Sequence, residues 1–168
     1  MKKIIKEVIP YIIIIIVVTL IRKFIATPVI VSGPSMKPTL KDKEILLLNK
    51  VSYKYSNIKR FDIVVIHIDN KEIIKRVIGL PGENVVYRSN KLYIDGHELE
   101  NDYSFKTDDF SLKTIPNCNN CIKIPEDKYL VLGDNRAISA DSRTYGLIDK
   151  SEIQGKVDVS IWPPKLVK

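Results

Sequence analysis

A serine in a tight turn is the first residue of this chain that could do covalent chemistry. Ser35 follows Gly33 and Pro34, and Pro38 fixes the exit of the segment three residues later. Glycine and proline favour a tight turn, which can present the hydroxyl beside a free backbone N–H of the kind that stabilises an oxyanion. An ordinary surface turn has the same composition, so this segment alone is compatible with both interpretations.

A serine nucleophile needs a base, and residues 71–82 offer one. Strand alternation would place Lys75 between apolar residues on one face and Arg76 between apolar residues on the other, which predicts that one of the two cations is buried. Arginine keeps its proton, whereas burial can lower the pKa of a lysine toward neutrality. Lys75 is therefore the candidate base, with an edge-strand lysine that reaches water as the alternative. His67 and His97 stand in no motif that suggests a catalytic triad.

The third candidate segment is the polar loop of residues 132–146. Such a loop could satisfy its charges through aspartate–arginine pairs while it directs one hydroxyl, such as that of Ser139, at a neutral lysine. A solvated cluster of turns would have the same composition, and spacing alone does not decide between the two.

The body that must position these residues is predicted to be mostly β. Short β-type runs separated by turn residues occur at residues 28–31, 45–49, 62–68, 71–78, 84–88, 91–94, 129–132 and 156–162. Helical periodicity is found nowhere beyond the N-terminal segment. The polar, irregular stretch 98–125 is typical of a surface insertion carried on a β core.

The N-terminal segment is apolar, and residues 8–21 carry no charge. Fourteen residues are fewer than the roughly 20 that span a bilayer core, so flanking apolar residues must complete the span while Lys6 and Arg22 extend to the interface. We expect a single uncleaved transmembrane helix within residues 1–27. A cleaved secretory signal is the alternative, but no small-x-small cleavage site follows. Basic residues flank both ends and leave the orientation open.

Composition limits the remaining functions. A chain of 168 residues is long enough for one anchor and one compact domain. The net charge of +7 is scattered and forms no basic stripe with interleaved aromatic residues, which argues against nucleic acid and favours a surface near anionic lipid. Cys118 and Cys121 form only half of a zinc site, so we expect no metal and favour a local disulfide over two free thiols.

Four segments, in order, resemble the conserved boxes of the type I signal peptidases. These are Ser/Lys serine proteases that remove signal peptides from exported proteins. The matching segments are S-M-K-P-T-L from Ser35, R-F-D-I-V-V from Arg60, K-R-V-I-G-L-P-G-E from Lys75 and G-D-N-R-x-x-S-x-D-S-R from Gly133. Lysine as the base is similar to the prokaryotic-type enzymes. The stretch of residues 103–121 is the least similar.

The resemblance implies a role for each matching residue. Ser35 would be the acylating nucleophile, Lys75 its base, and Ser139 the hydroxyl that orients the lysine. Gly33 stands where some bacterial members have an oxyanion-hole serine, so the hole would use backbone, chiefly the N–H of Ser35, as in members similar to Gram-positive enzymes. Supporting roles are implied for Met36 beside the nucleophile, for Asp134, Asn135 and Arg136 in the loop that shapes the site, and for Asp141 and Arg143 as structural residues.

The resemblance also implies a place in the cell. The short N-terminus would be cytoplasmic and residues 28–168 would form an extracytoplasmic β catalytic domain at the cell membrane, with residues 84–125 as an inserted subdomain. The partners would be membrane lipid and preproteins that carry signal peptides, with small residues at positions −1 and −3 of the cleavage site. No metal, organic cofactor or nucleic acid is implied.

Three other functions are compatible with parts of the sequence. A Ser/Lys peptidase dedicated to one substrate, such as a pilin-processing or conjugation enzyme, would differ in not cleaving many exported preproteins. A catalytically silent anchored domain that binds exported proteins would not need Ser35, Lys75 and Ser139 together. A cytosolic self-cleaving repressor is disfavoured by the apolar N-terminal segment and by the lack of a DNA-binding helical region.

Overall fold

The structure, a computed structural model, describes residues 2–99, 108–118 and 121–167, with side chains from residue 7 onward. It begins with a helix, α1 (Lys2–Phe24), and continues as a β body with two single-turn helices. The strands are β1 (Ala26–Ile30), β2 (Ile45–Asn49), β3 (Ile63–Ile68), β4 (Lys71–Gly79), β5 (Val85–Arg88), β6 (Lys91–Ile94), β7 (His97–Glu98), β8 (Phe110–Ser111), β9 (Lys128–Leu132), β10 (Ile148–Asp149), β11 (Ile153–Trp162) and β12 (Lys165–Leu166). The short helices are α2 (Ser52–Tyr55) and α3 (Ser142–Tyr145), and two 3-10 turns cover Leu112–Thr114 and Lys150–Glu152.

The strands form two antiparallel sheets. In the larger sheet the order is β1-β2-β11-β3-β4-β9-β10, and β12 pairs with β11. The smaller sheet has the order β7-β6-β5-β8. The prediction of a mostly β, mainly antiparallel body is confirmed. Each predicted run corresponds to a strand, with ends that differ by three residues or fewer.

A buried cluster joins the two sheets. Ile78 of β4 and Leu130 of β9 pack in one core with Tyr87 of β5 and Phe110 of β8, whose rings stack at 5.7 Å between centroids. A second buried cluster under β1, β2 and β3 includes Met36. The segments around Ser35 and Lys75 are therefore attached to packed elements, which is what a rigid site requires.

The hairpin of β3 and β4 sets the register of the central strands. Asp69 and Asn70 form its two-residue turn, and both have positive φ, at 49° and 61°. Such turns match the right-handed twist of paired strands. The register pairs Ile68 with Lys71 and places Lys75 opposite Val64.

No helix in the described part of the chain is long and apolar enough to cross a membrane. The transmembrane part of the fold prediction is therefore not confirmed.

Two helices follow the N-terminal segment, although the sequence shows no helical periodicity there. Helices α2 and α3 are single turns of four residues, too short to show a 3.6-residue period. Local side chains hold their first turns: Asn49 Oδ1 accepts hydrogen bonds from the amides of Val51 and Ser52, and Asp141 accepts one from the amide of Arg143. A disulfide joins Cys118 and Cys121, as the sequence favoured.

Candidate active site

Ser35 and Lys75, which are 40 residues apart in the chain, meet in the structure. Lys75 Nζ donates a hydrogen bond to Ser35 Oγ at 3.0 Å. Ser35 lies in the turn region after β1, and Lys75 lies in the middle of β4. The distance is within the reach that proton transfer between a hydroxyl and an amine requires.

The Lys75 side chain is buried, with 3% of its surface exposed. No carboxylate among the described residues forms an ion pair with it. Burial lowers the pKa of Lys75 below its usual value of 10.5, because the charged ammonium loses its hydration. The negative charges of Asp141 and Asp134 act in the opposite direction and are outweighed.

The neighbouring cation, Arg76, lies on the opposite face of β4 and is fully buried. Its Nε and Nη2 donate to the two carboxylate oxygens of Asp134 at 2.8 and 2.7 Å, and its Nη1 donates to the Phe61 carbonyl at 3.0 Å. Asp134 also accepts a hydrogen bond from Thr39 Oγ1 at 2.6 Å. The sequence predicted that one of the two cations is buried, and in the structure both are, because a counterion 58 residues away compensates the burial of Arg76.

The turn that carries Ser35 is closed by backbone hydrogen bonds. The Lys37 amide donates to the Pro34 carbonyl at 3.1 Å, and Met36 is buried in the core below. Gly33 has φ of +86°, and its N–H donates to Asp42 Oδ1 at 2.7 Å. The Gly33 N–H is therefore engaged, whereas the Ser35 N–H donates to no residue that the structure describes. Of these two amides, the Ser35 N–H is the one available to an oxyanion.

The loop of residues 133–143 folds over the backbone of the serine turn. The Asn135 amide donates to the Ser35 carbonyl at 2.9 Å, and Asn135 Nδ2 approaches the Pro34 carbonyl at 3.4 Å. Arg136 Nε donates back to the Gly133 carbonyl at 2.9 Å. These contacts fix the loop against the nucleophile segment.

Asp141 links the two ends of this loop. It is fully buried and accepts a hydrogen bond from the Gly133 amide at 3.0 Å. Arg143 pairs with it through Nη2 at 2.9 Å and also donates to the Arg136 carbonyl at 2.7 Å. One carboxylate and one guanidinium thus hold both ends of the loop together.

Ser139 lies against the serine turn, but it does not contact Lys75 through a hydrogen bond. Its Oγ is buried and has no hydrogen-bond partner among the described residues. A side chain at Gly133 would clash with the Ser139 hydroxyl and would lie 2.6 Å from the Ser35 carbonyl oxygen. Only glycine at position 133 lets the loop approach this closely.

A groove of about 340 Å³ opens beside Ser35 and Lys75. Its walls are residues 28–32 at one side and residues 72–75 of β4 at the other. β1 is an edge strand, and β9 pairs with β4 only from Arg76 to Gly79, so both walls present backbone that is not paired across the groove. An extended peptide could pair with such edges.

The structure therefore brings together most of the residues singled out from the sequence. Sequence reasoning missed Thr39 and Asp42, which bind Asp134 and Gly33. Thr39 lies within the S-M-K-P-T-L segment, which is the signal that could have found it. Within the described residues, no group of three or more histidine, cysteine or acidic side chains could hold a metal ion.

Comparisons with known proteins agree with one another. The family model described as "Signal peptidase, peptidase S26" matches residues 3–162. The chain is 40% identical to signal peptidase IB of Staphylococcus aureus strain COL, over 96% of this chain and 91% of that protein. It is 38% identical to signal peptidase I of Bacillus caldolyticus, over 93% of this chain and 90% of that protein.

A solved structure is similar as well. The crystal structure of a signal peptidase I from Enterococcus faecalis V583 aligns with a TM-score of 0.55 and 37% identity, covering 60% of this chain and 97% of that one. The chain therefore belongs to the signal peptidase family, peptidase S26, whose members are serine endopeptidases.

Proposed function

We propose that Ser35 and Lys75 are the catalytic pair with which this signal peptidase cleaves signal peptides from exported preproteins. The observation that carries the proposal is the 3.0 Å hydrogen bond between Ser35 Oγ and a lysine that is buried without an ion-pair partner among the described residues. A lysine in this environment is neutral more easily than an exposed one, and only the neutral amine can act as a base.

The reaction follows from this pair. Neutral Lys75 takes the proton of Ser35 as Oγ attacks the scissile carbonyl, and the resulting ammonium gives the proton to the leaving amine. An acyl ester on Ser35 remains. A water molecule, deprotonated by the same amine, then hydrolyses the ester and restores the serine hydroxyl. No step needs a metal or an organic cofactor.

The oxyanion of each tetrahedral intermediate would be stabilised by the Ser35 N–H. This amide donates to no described residue, whereas the Gly33 N–H is engaged with Asp42 and glycine has no hydroxyl to offer. Asn135 Nδ2, which approaches the Pro34 carbonyl at 3.4 Å, would help to fix the peptide plane that carries the donor, because the Pro34 carbonyl and the Ser35 N–H belong to the same peptide unit.

The groove beside the pair would bind the end of the signal peptide. Its apolar lining, including Val29, Val31, Met36 and Ile74, suits small side chains at positions −1 and −3, and its unpaired strand edges suit an extended backbone. Asp134, Arg136, Asp141 and Arg143 would act through the loop they hold together rather than on the substrate.

Ser139 would orient Lys75 once the lysine is neutral. Its buried hydroxyl has no partner among the described residues, so it is available for this contact. We expect Ser139→Ala to reduce kcat about tenfold, the scale of one positioning hydrogen bond, with KM little changed. An unchanged kcat would remove Ser139 from the mechanism.

The proposed pair is tested by two substitutions and a matched control. Ser35→Ala and Lys75→Ala should each abolish cleavage of a purified preprotein in detergent, while circular dichroism and the melting temperature show a folded protein. Lys71→Ala removes an exposed lysine from the same strand and should leave cleavage unchanged. Cleavage at the wild-type rate by either of the first two variants would disprove the mechanism.

The pH dependence gives a second test. The pKa of Lys75 is lowered, so kcat/KM should rise with pH as the ammonium loses its proton, along a limb below the ordinary lysine value of 10.5. A limb near pH 6 would instead indicate a histidine base.

The fold supports contact with a membrane. The side chains of α1 from Val8 to Ile21 are exposed and mostly apolar, and in the larger sheet Ile30 of β1, Trp162 of β11 and Leu166 of β12 are exposed as well. Large exposed apolar patches mark interaction surfaces. We propose that residues 1–27 anchor the chain in the cell membrane with the N-terminus cytoplasmic, and that residues 28–168 form the extracytoplasmic catalytic domain, with 84–125 as its inserted subdomain.

The membrane arrangement has its own test. The full chain should float with vesicles of anionic lipid in a density gradient, and a variant without residues 1–27 should float much less. Protease added outside intact cells should degrade the body if it is extracytoplasmic, and protection of the body would reverse the proposed orientation.

A further inference from the structure

A cleft lies beside the loop of residues 133–143. Its volume is about 850 Å³, more than twice that of the groove beside Ser35 and Lys75. One wall is the loop itself, with Arg136, Ser139 and Arg143, and the other is formed by Ser89, Asp108 and Asp109. We call it the loop cleft. Neither the mechanism nor the signal-peptide groove uses it.

The loop cleft adjoins the nucleophile through a single side chain. Ser139 lines the cleft, and its Cβ and the Ser35 carbonyl oxygen both lie 2.6 Å from the point that a Cβ on Gly133 would occupy. Ser139 is therefore the residue through which the cleft adjoins the nucleophile segment.

The proposed reaction requires a site of this kind. An endopeptidase substrate continues on both sides of the scissile bond, and the groove between residues 28–32 and 72–75 accommodates only one side. The catalytic pair lies at the end of that groove, next to the 133–143 loop. The loop cleft lies beside this same loop, and Ser139 is common to both.

Among the described residues that line the loop cleft, the charged side chains classed as exposed are those of two aspartates. The guanidinium of Arg143 is paired with Asp141, and Arg136 is 1% exposed, donates to the Gly133 carbonyl and stacks over the Tyr87 ring at 5.9 Å. Asp108 and Asp109 are exposed and form no ion pair with any described residue. Asp109 Oδ1 accepts one hydrogen bond, from the Ser89 amide at 2.8 Å.

We propose that the loop cleft binds the first residues of the mature protein, those that follow the scissile bond, and that Asp108 and Asp109 favour a basic side chain there. The inference depends on the proposed function, since it assigns a second half to the same substrate site. The two carboxylates attract a cationic side chain and repel an anionic one, so they change the relative rates of two substrates rather than the chemistry at Ser35.

The test compares two fluorogenic peptides with the full-length enzyme in detergent. Both carry alanine at positions −1 and −3, and they differ only in having two lysines or two glutamates at the second and third residues after the scissile bond. At about 50 mM salt we expect kcat/KM to favour the lysine peptide about fivefold, the scale of exposed ion pairs. The preference should shrink toward one at about 0.5 M salt, because surface charges are screened.

Charge-neutral variants locate the source of the preference. Asp108→Asn with Asp109→Asn keeps a side-chain oxygen for the Ser89 amide and should reduce the ratio to nearly one. Glu126→Gln with Asp127→Asn removes the same charge from exposed residues outside the cleft and should keep the wild-type ratio. A wild-type ratio near one, or a ratio that survives in the cleft variant, would overturn the inference. Failure to cleave either peptide would instead count against the proposed function.

Discussion

The two faces of β4 place adjacent cations, Lys75 and Arg76, in different environments. Lys75 and Arg76 are both buried, at 3% and 0% exposure. Arg76 meets a buried carboxylate with two hydrogen bonds, whereas Lys75 meets only the hydroxyl of Ser35 among the described residues. The paired cation keeps its charge and joins three segments of the chain. The cation without a counterion has a lowered pKa and can give up its proton.

The comparison shows that burial alone does not make a base. The cost of removing an ammonium or guanidinium from water is several kcal/mol, and the protein compensates it for Arg76 by placing Asp134 within 2.8 Å. The two carboxylates whose charges act on Lys75, Asp141 and Asp134, are both committed to other donors. A buried lysine can act as a base where no counterion compensates the loss of its hydration.

The largest expected effect comes from exchanging the type of cation on the Lys75 face. Lys75→Arg keeps the positive charge but removes the possibility of a neutral base, since arginine stays protonated. We expect kcat/KM for preprotein cleavage to fall at least about 10³-fold, which corresponds to about 4 kcal/mol in the barrier. Activity within tenfold of wild type would show that the charge of Lys75, rather than its neutral form, supports catalysis.

The next effect comes from removing the counterion on the other face. Asp134→Ala leaves Arg76 buried beside an empty position and should lower the free energy of unfolding by about 3 kcal/mol in urea titrations. The matched control is Glu98→Ala, which breaks the exposed Lys91–Glu98 pair and should cost much less stability than Asp134→Ala. Equal losses of stability in the two variants would mean that the buried Arg76–Asp134 pair does not stabilise the fold more than an exposed pair does.

The smallest effect is a gain of stability that depends on pH. The folded pKa of Lys75 lies below 10.5, so between the two values the unfolded chain binds more protons and wild-type stability decreases as pH falls. Lys75→Met removes this cost. We expect the variant to melt at a higher temperature than wild type near pH 7, with an advantage that disappears above about pH 11, where the lysine is neutral in both the folded and the unfolded chain.

A destabilised Lys75→Met at every pH would contradict the comparison, because it would mean that Lys75 stabilises the fold as Arg76 does. The melting temperatures are best measured by calorimetry in the same detergent across the pH range. Lys71→Met, at an exposed position of the same strand, should show no such pH dependence.

Long β-type runs predicted the larger elements of the fold, because alternation is visible over four or more residues. The strands of two residues, such as β7 and β10, carry no period and could not be recognised. The pairing of Arg76 with Asp134 was equally hidden, since nothing local in the sequence indicates a counterion 58 positions away. The need for glycine at position 133 is visible only in the structure, because a side chain there would clash with Ser139 and with the Ser35 carbonyl oxygen.

The contact of Ser35 with Lys75 was predicted through the matching segments, and the structure adds the lack of a hydrogen bond between Ser139 and Lys75. The loop cleft was not predicted at all. It is formed by a hairpin turn, an insertion and a loop that lie far apart in the sequence, and only the packing of the smaller sheet on β4 and β9 brings them together.

The length of the two-residue turn between β3 and β4 determines which cation of β4 faces the serine. Asp69 and Asn70 fix the alignment that directs Lys75, and not Arg76, toward Ser35. Side chains along a strand alternate, so a shift of one residue would present an arginine to the serine and turn the lysine toward Asp134. A single inserted or deleted codon at this turn would thus silence the enzyme with every catalytic residue still encoded. Lineages that keep the activity are expected to keep the length of this turn and residues that tolerate positive φ in it.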